Sequence, residues 1–215
     1  MAEITAALVK QLRDKTGAGM MECKKALTEA NGNLEQAEVI LRKLGAASAS
    51  KKSSRATKQG VIGTYIHPGS QLGVMVEINC ESDFVARTED FQQLVHDVAM
   101  QIAAADPQFL RKEDVTADLL DKEKEIARDR ARAEGKPEKI LDKIVEGRLS
   151  KYYEEVCLYE QPFIKDNAVT VGQLIATKVG KLGENISIAR FVRMKVGDAT
   201  PASTEEQAAT PVSAE

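Results

Sequence analysis

From Ile4 to Leu44 the apolar positions recur at the spacing of a helix. Ile4, Leu8 and Leu12 form one stripe, which Thr16-Gly17-Ala18-Gly19 interrupts. Met20, Cys23, Ala26 and Leu27 form a second stripe, closed by Asn31-Gly32-Asn33, residues that tolerate left-handed backbone. Asn33 can cap a third helix with Gln36 three residues on, and Leu34, Ala37, Ile40, Leu41 and Leu44 supply its apolar face. Gly45 predicts its end. Residues 1–45 therefore read as a small three-helix bundle. Ala46 to Gln59 is small, polar and basic, with Lys51, Lys52, Arg55 and Lys58 and no acid, so residues 46–59 read as a linker.

At Gly60 the period changes to two. Val61 to His67 is β-branched and aromatic, His67-Pro68-Gly69-Ser70-Gln71 makes a turn, and Leu72 to Cys80 alternates, which predicts a hairpin. Its second strand sends Leu72, Val74, Val76, Ile78 and Cys80 to one face, and Gly73, Met75, Glu77 and Asn79 to the other. Thr88 can cap a helix carrying Phe91, Leu94, Val95, Val98 and Ile102, which covers the hairpin and ends near Asp106-Pro107.

Two long helical stretches follow, about Ala117 to Glu134 and Pro137 to Tyr159, split by Gly135-Lys136, and predict an antiparallel helical hairpin. The first carries closely interleaved acids and bases from Asp121 to Glu134, as a solvated helix does, while Ile140, Leu141, Ile144, Leu149 and Val156 give the second its seam. Val171 to Lys181 predicts a helix. Ile186 to Val196 returns to strand alternation through Ile186, Ile188, Val192 and Met194 and is expected to join the sheet, which makes residues 60–197 one α+β core. From Asp198 the chain lacks aromatic residues, and 198–215 reads as a disordered tail.

Composition narrows the chemistry. The 215 residues hold 30 Lys and Arg against 33 Asp and Glu, a formal charge of −3, so no large basic field favours nucleic acid. No apolar run approaches the roughly 18 residues of a membrane span, and the N-terminus resembles neither a secretory signal nor a transit peptide, so a cytosolic protein is expected. The three cysteines, Cys23, Cys80 and Cys157, lie outside any CxxC pair and point to free thiols rather than disulfides or zinc. No phosphate-binding glycine loop, HExxH or GxSxG is present.

One segment stands out: Glu77-Ile78-Asn79-Cys80-Glu81-Ser82-Asp83-Phe84-Val85-Ala86-Arg87 runs off a strand with an acid beside a large aromatic. On the residues alone, Asp83 can cap a short helical turn and Phe84 can enter the core. The wording, however, resembles the second signature of the elongation factor Ts family, with Ser82 in place of the usual Thr. The first signature is matched by Leu12-Arg13-Asp14-Lys15-Thr16-Gly17-Ala18-Gly19-Met20-Met21-Glu22-Cys23-Lys24-Lys25-Ala26-Leu27, and Lys181-Leu182-Gly183-Glu184-Asn185-Ile186 looks like the family's entry to a core strand.

That resemblance implies an α+β fold: an N-terminal three-helix, ubiquitin-associated-like bundle, then a core with a small antiparallel sheet covered by helices and a helical hairpin. It implies a guanine-nucleotide exchange factor without catalytic residues or cofactor, whose partner is elongation factor Tu. Asp83, Phe84, Val85 and Ala86 match the loop that disturbs the partner's Mg²⁺ site, and Arg13, Met20 and Met21 match the contacts of the bundle with the GTPase. Longer members carry two copies of the core, whereas this chain shows one, so a short form able to supply the missing half by forming a homodimer is expected. Other readings are a peptide-binding adaptor, an enzyme using Cys80 or Cys157, and nucleic-acid binding through Lys51 to Lys58.

Overall fold

The computed structural model describes residues 4–198, so the expected tail lies outside the described residues except for Asp198. In chain order the helices α1 (Ala6–Thr16), α2 (Met20–Glu29) and α3 (Leu34–Lys52) lead to strands β1 (Gln59–Ile66) and β2 (Leu72–Cys80). Then come the one-turn α4 (Asp83–Ala86), α5 (Glu89–Ala105), the helical hairpin α6 (Ala117–Ala133) and α7 (Glu138–Val156), the short strands β3 (Pro162–Phe163) and β4 (Asp166–Thr170), α8 (Val171–Leu182) and β5 (Ile186–Lys195). This is the expected α+β class.

The bundle is held by its caps and one small core. Thr5 Oγ1 accepts from Leu8 N at 3.3 Å, Gly17 closes α1 with φ 68°, and Asn33 Oδ1 accepts from Gln36 N at 3.0 Å. Leu12, Cys23, Ala26, Leu27 and Ala37 are fully buried between the three helices. Met20, expected on that stripe, is instead exposed at the first turn of α2.

Gly45 does not end the third helix, and half of the expected linker is helix. The run Gly45-Ala46-Ala47-Ser48-Ala49 has no bulk, so α3 continues to Lys52 and lies close against α8. A Cβ on Gly180 would sit 3.6 Å from the Cα of Gly45, and one on Gly45 would sit 3.6 Å from the carbonyl oxygen of Ala176. Packing of small residues thus overrides the weak helix propensity of glycine. Only the short stretch between α3 and β1 connects the two units as loop.

The three-stranded sheet has the order β1-β2-β5 and is antiparallel throughout, with Gln59 opposite Cys80 and Cys80 opposite Ile186. Val74, Val76, Ile78 and Cys80 face inward, as their alternation predicts, onto Phe91, Leu94, Val95, Val98 and Ile102 of α5 and Val171, Ile175 and Val179 of α8. Each large side chain in this core contributes about 1.5–3 kcal/mol on burial.

On β5 the expected alternation changes phase. Glu77 pairs with Arg190 but Ile78 pairs with Ile188, which leaves Ala189 as the extra residue of a bulge. Ile186 and Ile188 therefore point into the core, while Val192 and Met194, of the same parity, point out. With Ile62, Ile66 and Met75 they form an exposed apolar face on the side of the sheet away from α5.

The helical hairpin buries Ala127 and Ala131 of α6 and Leu141 and Val145 of α7; Ile140, expected in the seam, is exposed. Ion pairs Arg128–Asp142 at 2.9 Å, Arg132–Glu138 at 3.1 Å and Arg148–Glu134 at 2.9 Å cross between its arms. The β3-β4 pair has no counterpart among the sequence expectations. Its place is set by the buried amides of Gln101 and Gln161, joined at 3.1 Å, with Gln101 Oε1 also accepting from Ile164 N at 2.9 Å.

Candidate functional site

Strand β2 ends at Cys80, and the chain turns at once into α4. Ser82 caps the turn, its Oγ accepting from Val85 N at 3.4 Å, while the Cys80 thiol donates to the Ser82 carbonyl at 3.1 Å. At the far end Thr88 Oγ1 donates to the Val85 carbonyl at 2.8 Å and Gln92 Nε2 to the Ala86 carbonyl at 2.7 Å. Both ends of this single helical turn are tied to neighbouring elements, so its outward residues have a fixed base.

The four loop residues divide into two pairs. Ala86 is buried in the sheet core and Val85 is half-buried beside it, so both serve as anchors. Phe84 is 80% exposed, an uncommon position for a phenylalanine, and Asp83 lies half-exposed next to it, 2.8 Å from Arg87. The core reading of Phe84 is thereby overturned. Asp83 and Phe84 form a rigid protrusion of an acid and a ring.

Glu184, which the residue pattern did not single out, reaches this turn from the loop between α8 and β5. One carboxylate oxygen, Oε2, accepts from Glu81 N at 3.1 Å and Ser82 N at 2.9 Å, and Oε1 accepts from Ser82 Oγ at 2.5 Å. Glu81 reciprocates, accepting from Asn185 N at 2.6 Å. That backbone donor, with help from Arg55, holds the Glu81 carboxyl below the usual glutamate range. The one available signal was the position of Glu184 inside the matched segment Lys181 to Ile186.

In the bundle, Arg13 lies in the last turn of α1 and Met20 and Met21 in the first turn of α2, so the three flank one connection, and all are exposed. Two adjacent methionines, 48% and 66% exposed, present a polarizable apolar surface to solvent. The Lys181 side chain crosses this connection: a Cβ on Gly17 would lie 3.1 Å from its Nζ. Lys181 also pairs with Asp90 at 2.7 Å, on the first turn of α5 just beyond α4. A chain of contacts thus runs from the bundle's α1–α2 connection to the base of the Asp83 turn.

The thiols do not resemble nucleophiles. All three cysteines are buried, and burial first of all raises each thiol, that of Cys157 to about 11, so little thiolate forms near neutrality. Among the described residues no group of three His, Cys, Asp or Glu could hold a metal ion, and no helix is long and apolar enough to cross a membrane. A crevice of about 320 Å³ between the bundle and α8 has mixed lining charges from Lys15, Glu38, Arg42, Asp166 and Lys181 and includes none of the turn residues.

The chain is a helical bundle packed on an α+β core with an acid and a ring raised on a braced turn, and comparison with known proteins places it among the translation elongation factors. The family "Elongation factor TS" matches residues 2–198. Elongation factor Ts of Solibacter usitatus is 74% identical over 199 residues, spanning 93% of this chain and 94% of that protein. Elongation factor Ts of Koribacter versatilis is 62% identical over 214 residues, 97% and 98% of the two chains, and that of Heliobacterium modesticaldum 56% identical over 195 residues, 91% of each. The chain belongs to the elongation factor Ts family.

Proposed function

We propose that this protein is a guanine-nucleotide exchange factor for elongation factor Tu, acting in the cytoplasm by binding and carrying out no covalent step. The observation that carries the reading is the exposure of Phe84 beside Asp83 on a turn fixed at both ends. An exchange factor must prefer the empty GTPase, and linkage then weakens the nucleotide by the same factor. Phe84 is a stiff apolar wedge with few rotamers to freeze, and Asp83 brings a charge able to compete for hydrogen bonds. Inserted beside the partner's Mg²⁺ site, Phe84 would crowd the site and Asp83 would compete for its hydrogen bonds, so that metal and GDP would both be held less tightly.

Residues 1–45 supply the second grip through Arg13, Met20 and Met21, and the core, residues 60–197, supplies the wedge. In a stopped-flow assay of labelled GDP leaving elongation factor Tu, the wild-type protein is expected to accelerate release. Arg13→Ala is expected to raise the concentration needed for half-maximal effect by about tenfold, the ordinary loss for one interface arginine. No acceleration by the wild-type protein contradicts the proposal, and an unchanged half-maximal concentration contradicts the role of Arg13.

The apolar outer face of the sheet supports a homodimer. Ile62, Ile66, Met75, Val192 and Met194 are all exposed on one side of a three-stranded sheet, as expected of a surface that a second copy covers across a two-fold axis. Met75 sits on the central strand, opposite Thr64 and Val192. Met75→Glu places a charge in the middle of that surface and is expected to give a monomer in sedimentation velocity with an unchanged helix signal. A dimer of undiminished stability in that variant, or a wild-type monomer at all concentrations, contradicts this arrangement.

A further inference from the structure

We infer that Glu184 is a positioning residue for nucleotide exchange: from the loop that leads into the neighbouring strand β5 it holds the junction of β2 and α4 and so sets where Phe84 projects. The inference rests on the exchange reading above and adds a residue to it. Glu184 makes no hydrogen bond to Asp83 or Phe84. Its three acceptor contacts all fall on the two residues before them, at Glu81 N, Ser82 N and Ser82 Oγ.

Those two residues are where direction is decided. Ser82 is the last extended residue, with φ −127° and ψ 156°, and its Oγ caps α4. A four-residue helix has little stability of its own, because most of its backbone groups lack partners within it. The orientation of the Phe84 ring therefore depends on what fixes Ser82. Behind the turn, the backbone of Asn185 is clasped by Glu81 at 2.6 Å, and the Asn185 side chain donates to the carbonyl oxygens of Arg55 at 2.8 Å and Ser53 at 3.3 Å. Glu184 thus ties the turn to a point that is itself held by the chain leaving α3. A charged acceptor taking two backbone donors and a hydroxyl is a strong and directional clamp.

A positioning role separates from a binding role in the kinetics. In the stopped-flow GDP-release assay, Glu184→Ala is expected to lower the maximal release rate by on the order of tenfold, since small misplacement of a working group carries penalties of this size. The half-saturating concentration should stay within about twofold, because Arg13, Met20 and Met21 are untouched. Glu184→Gln should restore most of the rate, since an amide oxygen can accept from both backbone donors and the amide nitrogen can bond to Ser82 Oγ. Ser82→Ala should lower the maximal rate in the same direction, and adding Glu184→Ala to it should cost less than in the wild-type background. Amide exchange is expected to quicken at Ser82 to Ala86 and to remain slow across α5.

A wild-type maximal rate in Glu184→Ala, a loss confined to the half-saturating concentration, or additive losses in the double variant would overturn the positioning role. Failure of Glu184→Gln alongside Glu184→Ala would overturn the hydrogen-bond account as well. Phe84→Ala, run in parallel, keeps the two levels distinct. A slow Phe84→Ala with a fast Glu184→Ala removes only this inference, whereas a fast Phe84→Ala removes the exchange reading beneath it.

Discussion

Replacing Asp83 and Phe84 together by alanine is expected to leave the protein folded and to slow maximal GDP release from elongation factor Tu by on the order of 100-fold, the factor that about 3 kcal/mol of lost wedge contact produces. Folding survives because little is removed from the interior. Phe84 is 80% exposed, and the pair of Asp83 with Arg87 is a surface contact within one helical turn. Such exposed pairs contribute about 0–1 kcal/mol. The anchors of the turn lie elsewhere, at Ser82, Val85, Ala86 and Gln92. Stopped-flow release of labelled GDP reads the effect, and circular dichroism confirms the fold. A variant that melts normally and releases GDP at the wild-type rate would remove the wedge from the account.

The second large effect is on stability, at Gly60. This residue sits opposite Asn79 near the end of the hairpin with φ 154°, where a Cβ would lie 2.3 Å from the Ile78 carbonyl oxygen and 2.7 Å from the Asn79 Cα. Both obstacles are backbone of the central strand, so no side chain can rotate away to relieve the clash. Gly60→Ala is expected to cost on the order of 3 kcal/mol, combining overpacking with an unfavourable backbone angle. At about 2–4 °C per kcal/mol for a domain of this size, the melting temperature falls by roughly 6–12 °C. The displaced strand leads directly into Glu81 and Ser82, so the maximal exchange rate should fall as well. A melting temperature within about 2 °C of wild type would show that the strands can part here without cost.

Much of the fold follows from short-range pattern. The alternation from Leu72 to Cys80, the Thr88 cap before Phe91, and the Asn33 cap before the third helix each depend on neighbours within a few residues, and each appears where the pattern puts it. What escaped the pattern depends on partners far along the chain. Gly45 is a plausible helix stop until Gly180 packs against it. The bulge at Ala189 is invisible to a period of two, because one extra residue changes which parity faces the core and only the partner strand reveals the slip. Glu184 looks like any surface glutamate until β5 pairs with β2 and brings it to Ser82.

The candidate site shows the same division. That an acid and a ring stand together at positions 83 and 84 is read directly from the chain, yet alternation could not say whether Phe84 points inward or outward. The family resemblance supplied that direction before the fold did. It carried Val85 and Ala86 along with Asp83 and Phe84, and the structure places Val85 and Ala86 beneath the turn as its footing.

The central claim is that the protein binds an empty GTPase better than a loaded one. It is tested most directly by titrating the purified protein against elongation factor Tu in two states, nucleotide-free and bound to GDP with Mg²⁺, by isothermal calorimetry. The account predicts affinity for the empty state about 100-fold tighter, near the upper end of ordinary coupling between two sites. Equal affinity for the two states would contradict it.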